Sequence, residues 1–259
     1  MKEKKHELSK LDAILGEYDN SIMENVQQED IIFPRMRLMQ AMSDLVSSGE
    51  ARPGEVLLNI DGHKYNEPGK PIDIIPLFYW HSRIMFAPMD AGGGVLCKAD
   101  NGRMGIGNPG GECMTCDYKE WRTSDAGKQV SPDCNRVHNF AVICPSETGE
   151  HRIAILPLSK TSFRIGTTLL NRMRVLKGPS FAYAFRLSTE MREGSMAKYW
   201  AFSLSKWEDT NRIDKRIDTF DNWEGLFSEC EVAHKTFRDA YQTGSIDESS
   251  SSSTEEVPF

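Results

Sequence analysis

Apolar and polar positions alternate most clearly from residue 72 onward. IDIIPLFYWHSRIMFAP (72–88) predicts one long strand, bent near Pro76 because proline interrupts a ladder. NFAVICP and HRIAILPL flank SETGE and predict a hairpin. In KTSFRIGTTLLNRMRVLKG, Ile165, Leu169, Met173 and Leu176 recur at helical spacing, and Gly178-Pro179 stops the run. FAYAFRLST and KYWAFSLS alternate again around the turn residues REGS, which predicts a second hairpin. Trp200, Phe202 and Leu204 share one side of it, with Trp200 and Phe202 assigned to the interior. A last helical stripe runs through Trp223, Leu226, Phe227, Cys230, Ala233, Phe237 and Tyr241. Upstream, Leu8, Leu11, Ile14 and Leu15 predict a short N-terminal helix.

The element order is strand, insertion, strand, strand, helix, strand, strand, which is the order of an OB-fold. The expected class is α+β, mainly β with flanking helices: an OB-fold-like five-stranded barrel carrying an inserted zinc-binding loop, a C-terminal helix and a disordered acidic tail. The expected divisions are an N-terminal helical or extended segment at 1–55 and an OB-like core at 56–210, interrupted by the insertion at about 91–137. A C-terminal helix at 211–244 and the tail at 245–259 follow.

Charge changes the picture because it is segregated. The chain has a net charge of −7. Residues 151–216 nevertheless carry thirteen Lys/Arg against five Asp/Glu, whereas 217–259 carry two against ten. A basic block followed by an acidic one suits a protein that holds an anionic polymer on the first and shields it with the second. No apolar run approaches the length of a bilayer-spanning helix, and the charged start MKEKKHELSKLD has no apolar stretch behind it. The expectation is a cytoplasmic protein without a signal peptide.

Four of the six cysteines crowd together. In Cys113-Met114-Thr115-Cys116, two thiolates in one tight turn can converge on a tetrahedral ion. Cys134 is the natural third ligand, and the fourth is Cys97 or, in competition, His138. Four thiolates leave no open position, so the implied Zn²⁺ is structural. Cys144 and Cys230 lie in apolar patterns and are expected in the core. The glycines around 105–111 are expected to be slack that lets Cys97 reach Cys113.

Binding single strands without reading sequence needs cations for phosphates and aromatic faces for bases. The candidates are Tyr79, Trp80 and Arg83 on the first strand, Lys160, Arg164, Arg172 and Arg174 on the helix, and Lys198, Tyr199, Lys206 and Trp207 on or near the last hairpin. Tyr79 and Trp80 point to opposite faces, so one of the two is expected inside. No paired-carboxylate, nucleophile-elbow or Walker pattern is present, so an enzyme is not expected.

The chain ends Asp247-Glu248, five serines, Thr254, Glu255-Glu256-Val257-Pro258-Phe259. This ending resembles the tails of bacterial and phage single-stranded DNA-binding proteins, which close with carboxylates and an apolar tip ending in phenylalanine. The resemblance implies a phage-type protein of DNA replication or recombination. Its Asp247, Glu248, Glu255, Glu256, Pro258 and Phe259 would recruit a DNA polymerase, helicase or recombinase. The alternative is a zinc-ribbon adaptor of a transcription or packaging complex, which would bind protein and have little affinity for free single strands.

Overall fold

A computed structural model describes residues 33–88, 93–125, 127–145, 151–194 and 197–243. The expected helix at 6–16, the turn at 146–150 and the tail at 245–259 lie outside them. The elements begin with strand β1 (Met36–Leu38), the short helix α1 (Asp44–Ser47) and β2 (Val56–Leu58). The long strand β3 (Ile72–Phe86) comes next. Five short strands follow: β4 (Val95–Ala99), β5 (Met104–Gly107), β6 (Gly111–Glu112), β7 (Arg122–Thr123) and β8 (Gln129–Val130). Then come β9 (Cys134–Cys144), β10 (Arg152–Leu158) and helix α2 (Phe163–Val175). The chain continues through β11 (Tyr183–Glu193), β12 (Lys198–Ser205), β13 (Asp214–Arg216) and helix α3 (Trp223–Thr243).

β3 organises everything else. A register shift between Pro76 and Phe78 bends it, so one strand serves three neighbours. Ile72–Ile74 pair with β11, Ile75–Met85 pair with β9, and Arg83–Phe86 pair with β4. β9 also pairs with β10, and β11 with β12, all antiparallel. One face of this sheet encloses Ile74, Phe140, Val142, Leu156, Phe185, Leu187 and Phe202, with Leu169 of α2 closing the end. The other face, including Ile75, Leu77, Trp80 and Ala141, is covered by Leu226, Cys230, Ala233 and Phe237 of α3. Burial on both faces explains why IIPL (74–77) and FAVIC (140–144) read as unbroken apolar runs. Each large side chain so buried contributes about 1.5–3 kcal/mol.

The fold is mainly β with helices, as expected, but the expected five-stranded barrel is corrected: it does not close by strand pairing among the described residues. β10 and β12 do not pair. The β1–β2 hairpin stands in the gap instead. Ile155 N donates to Pro34 O at 2.7 Å, and Arg35 forms a parallel bridge with Ile155. On the β12 side, the Gln40 amide both donates to Trp200 O and accepts from Trp200 N, each at 2.9 Å. Edge groups of Ile155 and Trp200 are thereby satisfied without a barrel seam. Met36, Val56 and Leu58 enter the enclosed core, so the expected boundary at 55/56 falls inside a hairpin that belongs to the main body. The C-terminal helix begins at Trp223 rather than 211, because Asp214–Arg216 add a strand to β11.

Candidate nucleic-acid interface and cysteine cavity

Three strands bring the first cysteines together. Met85 of β3 pairs with Cys97 on β4 and with Cys134 on β9, and the three side chains form a small buried cluster. Cys113 and Cys116 arrive from the turn after β6, where Cys113 N donates to Arg103 O at 2.8 Å. All four cysteines, with Arg83 and Lys119, line one cavity of about 10 Å³, room for roughly one small sphere. His138 does not line it, so Cys97 is the residue found with the other three. The glycines there do more than supply slack. A Cβ on Gly105 would lie 2.8 Å from Cys97 Sγ, and one on Gly107, at φ +115°, would lie 2.1 Å from Leu96 O.

Burial raises the Cys113 and Cys134 thiols, while Arg83 opposes the rise at both. All six cysteines are free of disulfides. Cys144 and Cys230 are buried in the two separate cores. Among the described residues, no three or more His, Cys, Asp or Glu side chains are disposed as a metal-binding group. The four thiols therefore share a cavity without forming a coordination sphere. Their soft sulfur donors suit Zn²⁺, and the enclosed space suits a structural ion.

Beyond the cavity, β3 and β9 present a ladder of directly opposed residues: Met85/Cys134, Arg83/Arg136, His81/His138 and Tyr79/Phe140. Opposed residues of an antiparallel pair share a face, so two guanidiniums and two imidazoles stand side by side. Burial, then Arg136, Arg83 and Arg103, lowers the His81 pKa. None of these three arginines makes an ion pair among the described residues. Tyr79 Oη and His138 Nδ1 are 3.0 Å apart, and His138 Nε2 lies 3.3 Å from Thr167 Oγ1. The His138 ring stacks on Phe163 with centroids 4.3 Å apart. Helix α2 approaches this closely because Gly166 has no side chain; a Cβ there would lie 2.5 Å from His138. Lys160 Nζ sits 5.8 Å from the centroid of Phe86, and burial lowers the lysine pKa.

Burial, Arg136 and His81 push the His138 pKa from 6.5 down to about 4. The unfolded chain takes up this proton near 6.5, so the group's contribution to stability is complete above that pH. It is lost as pH falls from 6.5 towards 4, below which both states are protonated. The expected result is a thermal midpoint that declines across that window. In His138→Gln the decline is smaller; an equal decline would remove His138 as its source.

Other predicted contacts are not brought to this face. Trp80 and Trp207 are core residues, 3% and 4% exposed, which corrects the expectation that they meet bases. α3 covers Trp80, while the Arg186 guanidinium stacks 3.9 Å from the Trp207 ring centroid. Arg172 and Arg212 both bind the carboxylate of Asp214, whose side chain is 2% exposed, so Arg172 is a structural ion-pair partner. Lys198 pairs with Glu193 at 3.2 Å, beside the half-buried Tyr199. Arg164, Arg174 and Lys206 are exposed. Of the thirteen cations in 151–216, eight are in ion pairs, so most of that block is neutralised locally. The tail residues Asp247, Glu248, Glu255, Glu256, Pro258 and Phe259 lie outside the described residues.

Arg103 and Arg136 were not among the sequence candidates. Arg136 could have been found by setting Cys134 opposite Met85, which places it against Arg83; Arg103 carries no such signal. Trp121 was also missed, although it stands beside Arg122 in KEWRT.

Among the described residues, no helix is long and apolar enough to cross a membrane. No curated protein and no solved structure matches the chain. A family model described as Pam3 phage gp34-like protein matches residues 4–250. With nearly the whole chain covered by that match, the protein belongs to the Pam3 phage gp34-like family, a family of phage proteins.

Proposed function

We propose that this chain is a non-enzymatic, largely sequence-independent single-stranded DNA-binding protein of phage DNA replication or recombination. The observation that carries the reading is the cluster of Arg83, Arg103 and Arg136 around His81, none of which makes an ion pair among the described residues. Like charges held together on a sheet face are unfavourable until an anion lies between them, and a phosphodiester chain supplies such anions. The half-buried aromatics Tyr79, Phe86 and Phe163 stand along the same route, with Lys160 and Arg164 at its α2 end. The strand order β10–β9–β3–β11–β12, with α2 between β10 and β11, supports an OB-like reading in which β1 replaces the closing pair.

Within this reading, Cys97, Cys113, Cys116 and Cys134 hold a structural Zn²⁺ as thiolates, tying the insertion to the end of β3. The acidic tail shields the basic face and recruits a replication or recombination protein, such as a polymerase, helicase or recombinase. The site of action is the host cytoplasm. A zinc-ribbon adaptor remains the second reading. Leu96, Met104, Ile106 and Met114, exposed apolar residues of the insertion, favour it because they suit a protein contact.

The test is a fluorescence-anisotropy titration with a labelled oligothymidylate and with a duplex of equal length. Affinity is expected to favour the single strand and to fall steeply with salt. Removing 245–259 should preserve or tighten it. Equal preference for duplex, or binding insensitive to salt, would sink the reading in favour of the adaptor.

A further inference from the structure

The insertion carries a tryptophan that neither core uses. Trp121 is 65% exposed, whereas Trp80 and Trp207 are buried. It lies two residues beyond the 3-10 turn Asp117–Lys119, which follows Cys116, and immediately before the small β7–β8 hairpin. Tyr118, 42% exposed, lies three residues before it. Arg122 is held at Asp133, immediately before β9, so the start of the hairpin is tethered to the same strand that carries Arg136. Lys119 lines the cysteine cavity together with Arg83. The indole therefore follows, in sequence, the turn that lines the cavity, with Lys119 two residues before it and Arg122 directly after it.

We infer that Trp121 is a base-stacking ledge that extends the single-strand path from the β3–β9 face onto the insertion. This inference rests on the single-strand reading given above. An indole offers its π-face to any base, which suits binding without sequence preference. Lys119 and Arg122 flank the indole; each is paired with a surface carboxylate, Glu120 and Asp133 respectively, and exposed pairs of this kind are weak enough for the phosphates on either side of a stacked nucleotide to exchange with them. On this assignment the insertion is part of the DNA-binding surface, and the cysteine cavity positions the ledge relative to Arg83.

The full chain, with unlabelled oligothymidylate as the probe, tests it. Intrinsic tryptophan emission of the native chain should be quenched on binding. Trp121→Ala should lose most of the quench and about ten-fold in affinity, with its thermal midpoint unchanged because the side chain is exposed. Trp121→Phe should also lose the quench but stay within about two-fold of native affinity, since a ring remains to stack. Arg83→Ala/Arg136→Ala serves as the reference for the ladder itself. If that pair loses binding while Trp121→Ala binds as the native chain does, the ledge is overturned and the single-strand reading stands. If Trp121→Ala leaves DNA affinity intact but abolishes self-association in sedimentation, Trp121 is a protein contact and the inference is equally overturned. If the native chain does not bind the oligonucleotide at low salt, the ledge falls together with the reading on which it rests.

Discussion

Arg83→Ala/Arg136→Ala should weaken oligothymidylate binding by about 100-fold at low salt. Each guanidinium–phosphate contact is a hydrogen bond to a charged group, contributing about 1.5 kcal/mol at the low end, and two of them give about 3 kcal/mol. The plot of log K against log salt should become shallower by about 1.4, because about 0.7 counterions per phosphate are no longer released from a single strand. Folding should survive. Neither arginine makes an ion pair among the described residues, and removing two facing like charges relieves repulsion across the β3–β9 ladder. Arg186→Ala provides the contrast. Arg186 binds Asp73 at 2.9 Å and covers the Trp207 ring, so its loss should lower stability and leave the salt slope nearly unchanged. Native affinity in the Arg83/Arg136 variant would exclude the ladder as the phosphate track.

The second large effect concerns the cysteine cavity. Protein prepared under reducing conditions with zinc supplied should carry one Zn²⁺ per chain by elemental analysis. Cys97→Ser, Cys113→Ser, Cys116→Ser and Cys134→Ser should each lose it. Cys144→Ser should retain it, because Cys144 is buried in the enclosed core away from the cavity. Burial pushes that thiol up to about 12, in keeping with an inert core group. Zinc binding in small peptide modules is worth about 10–16 kcal/mol at neutral pH, but this insertion is held to a preformed sheet by β4 and β9. Chelation should therefore open residues 93–133 to protease while the body built on β9 to α3 stays resistant. A native chain without metal, or Cys113→Ser with full occupancy, would refute a four-thiolate site.

Much of the architecture was legible because it depends on local periodicity. The alternation in 72–88 and in the two later hairpins, and the helical stripes at 163–175 and 223–243, follow from which residues must share a face. The bend at Pro76 was legible for a similar reason, since proline cannot donate to the ladder. The cysteine candidates were legible from spacing, although it left Cys97 and His138 competing for the fourth place until the register of β3 with β4 and β9 put Cys97 at the cavity. The β1–β2 hairpin was not: three-residue strands are too short to show a period, and their place between β10 and β12 depends on contacts far apart in sequence.

The candidate interface divides along the same line. Alternation showed that Tyr79 and Trp80 face opposite ways, but not which face would be covered. That was decided when α3 packed over Trp80. The basic block at 151–216 was plain from the sequence, yet its availability was not, because Asp61 and Asp73 lie outside it and still neutralise Arg152 and Arg186. Conversely, Arg83 and Arg136 are 53 positions apart in the chain and become neighbours only through the register of β3 on β9. The sequence by itself determined the elements, the candidate cysteines and the segregation of charge, all of which follow from local pattern and composition. Tertiary structure decided which cations remain unpaired and which aromatics stay open, because both depend on partners that only folding brings within reach.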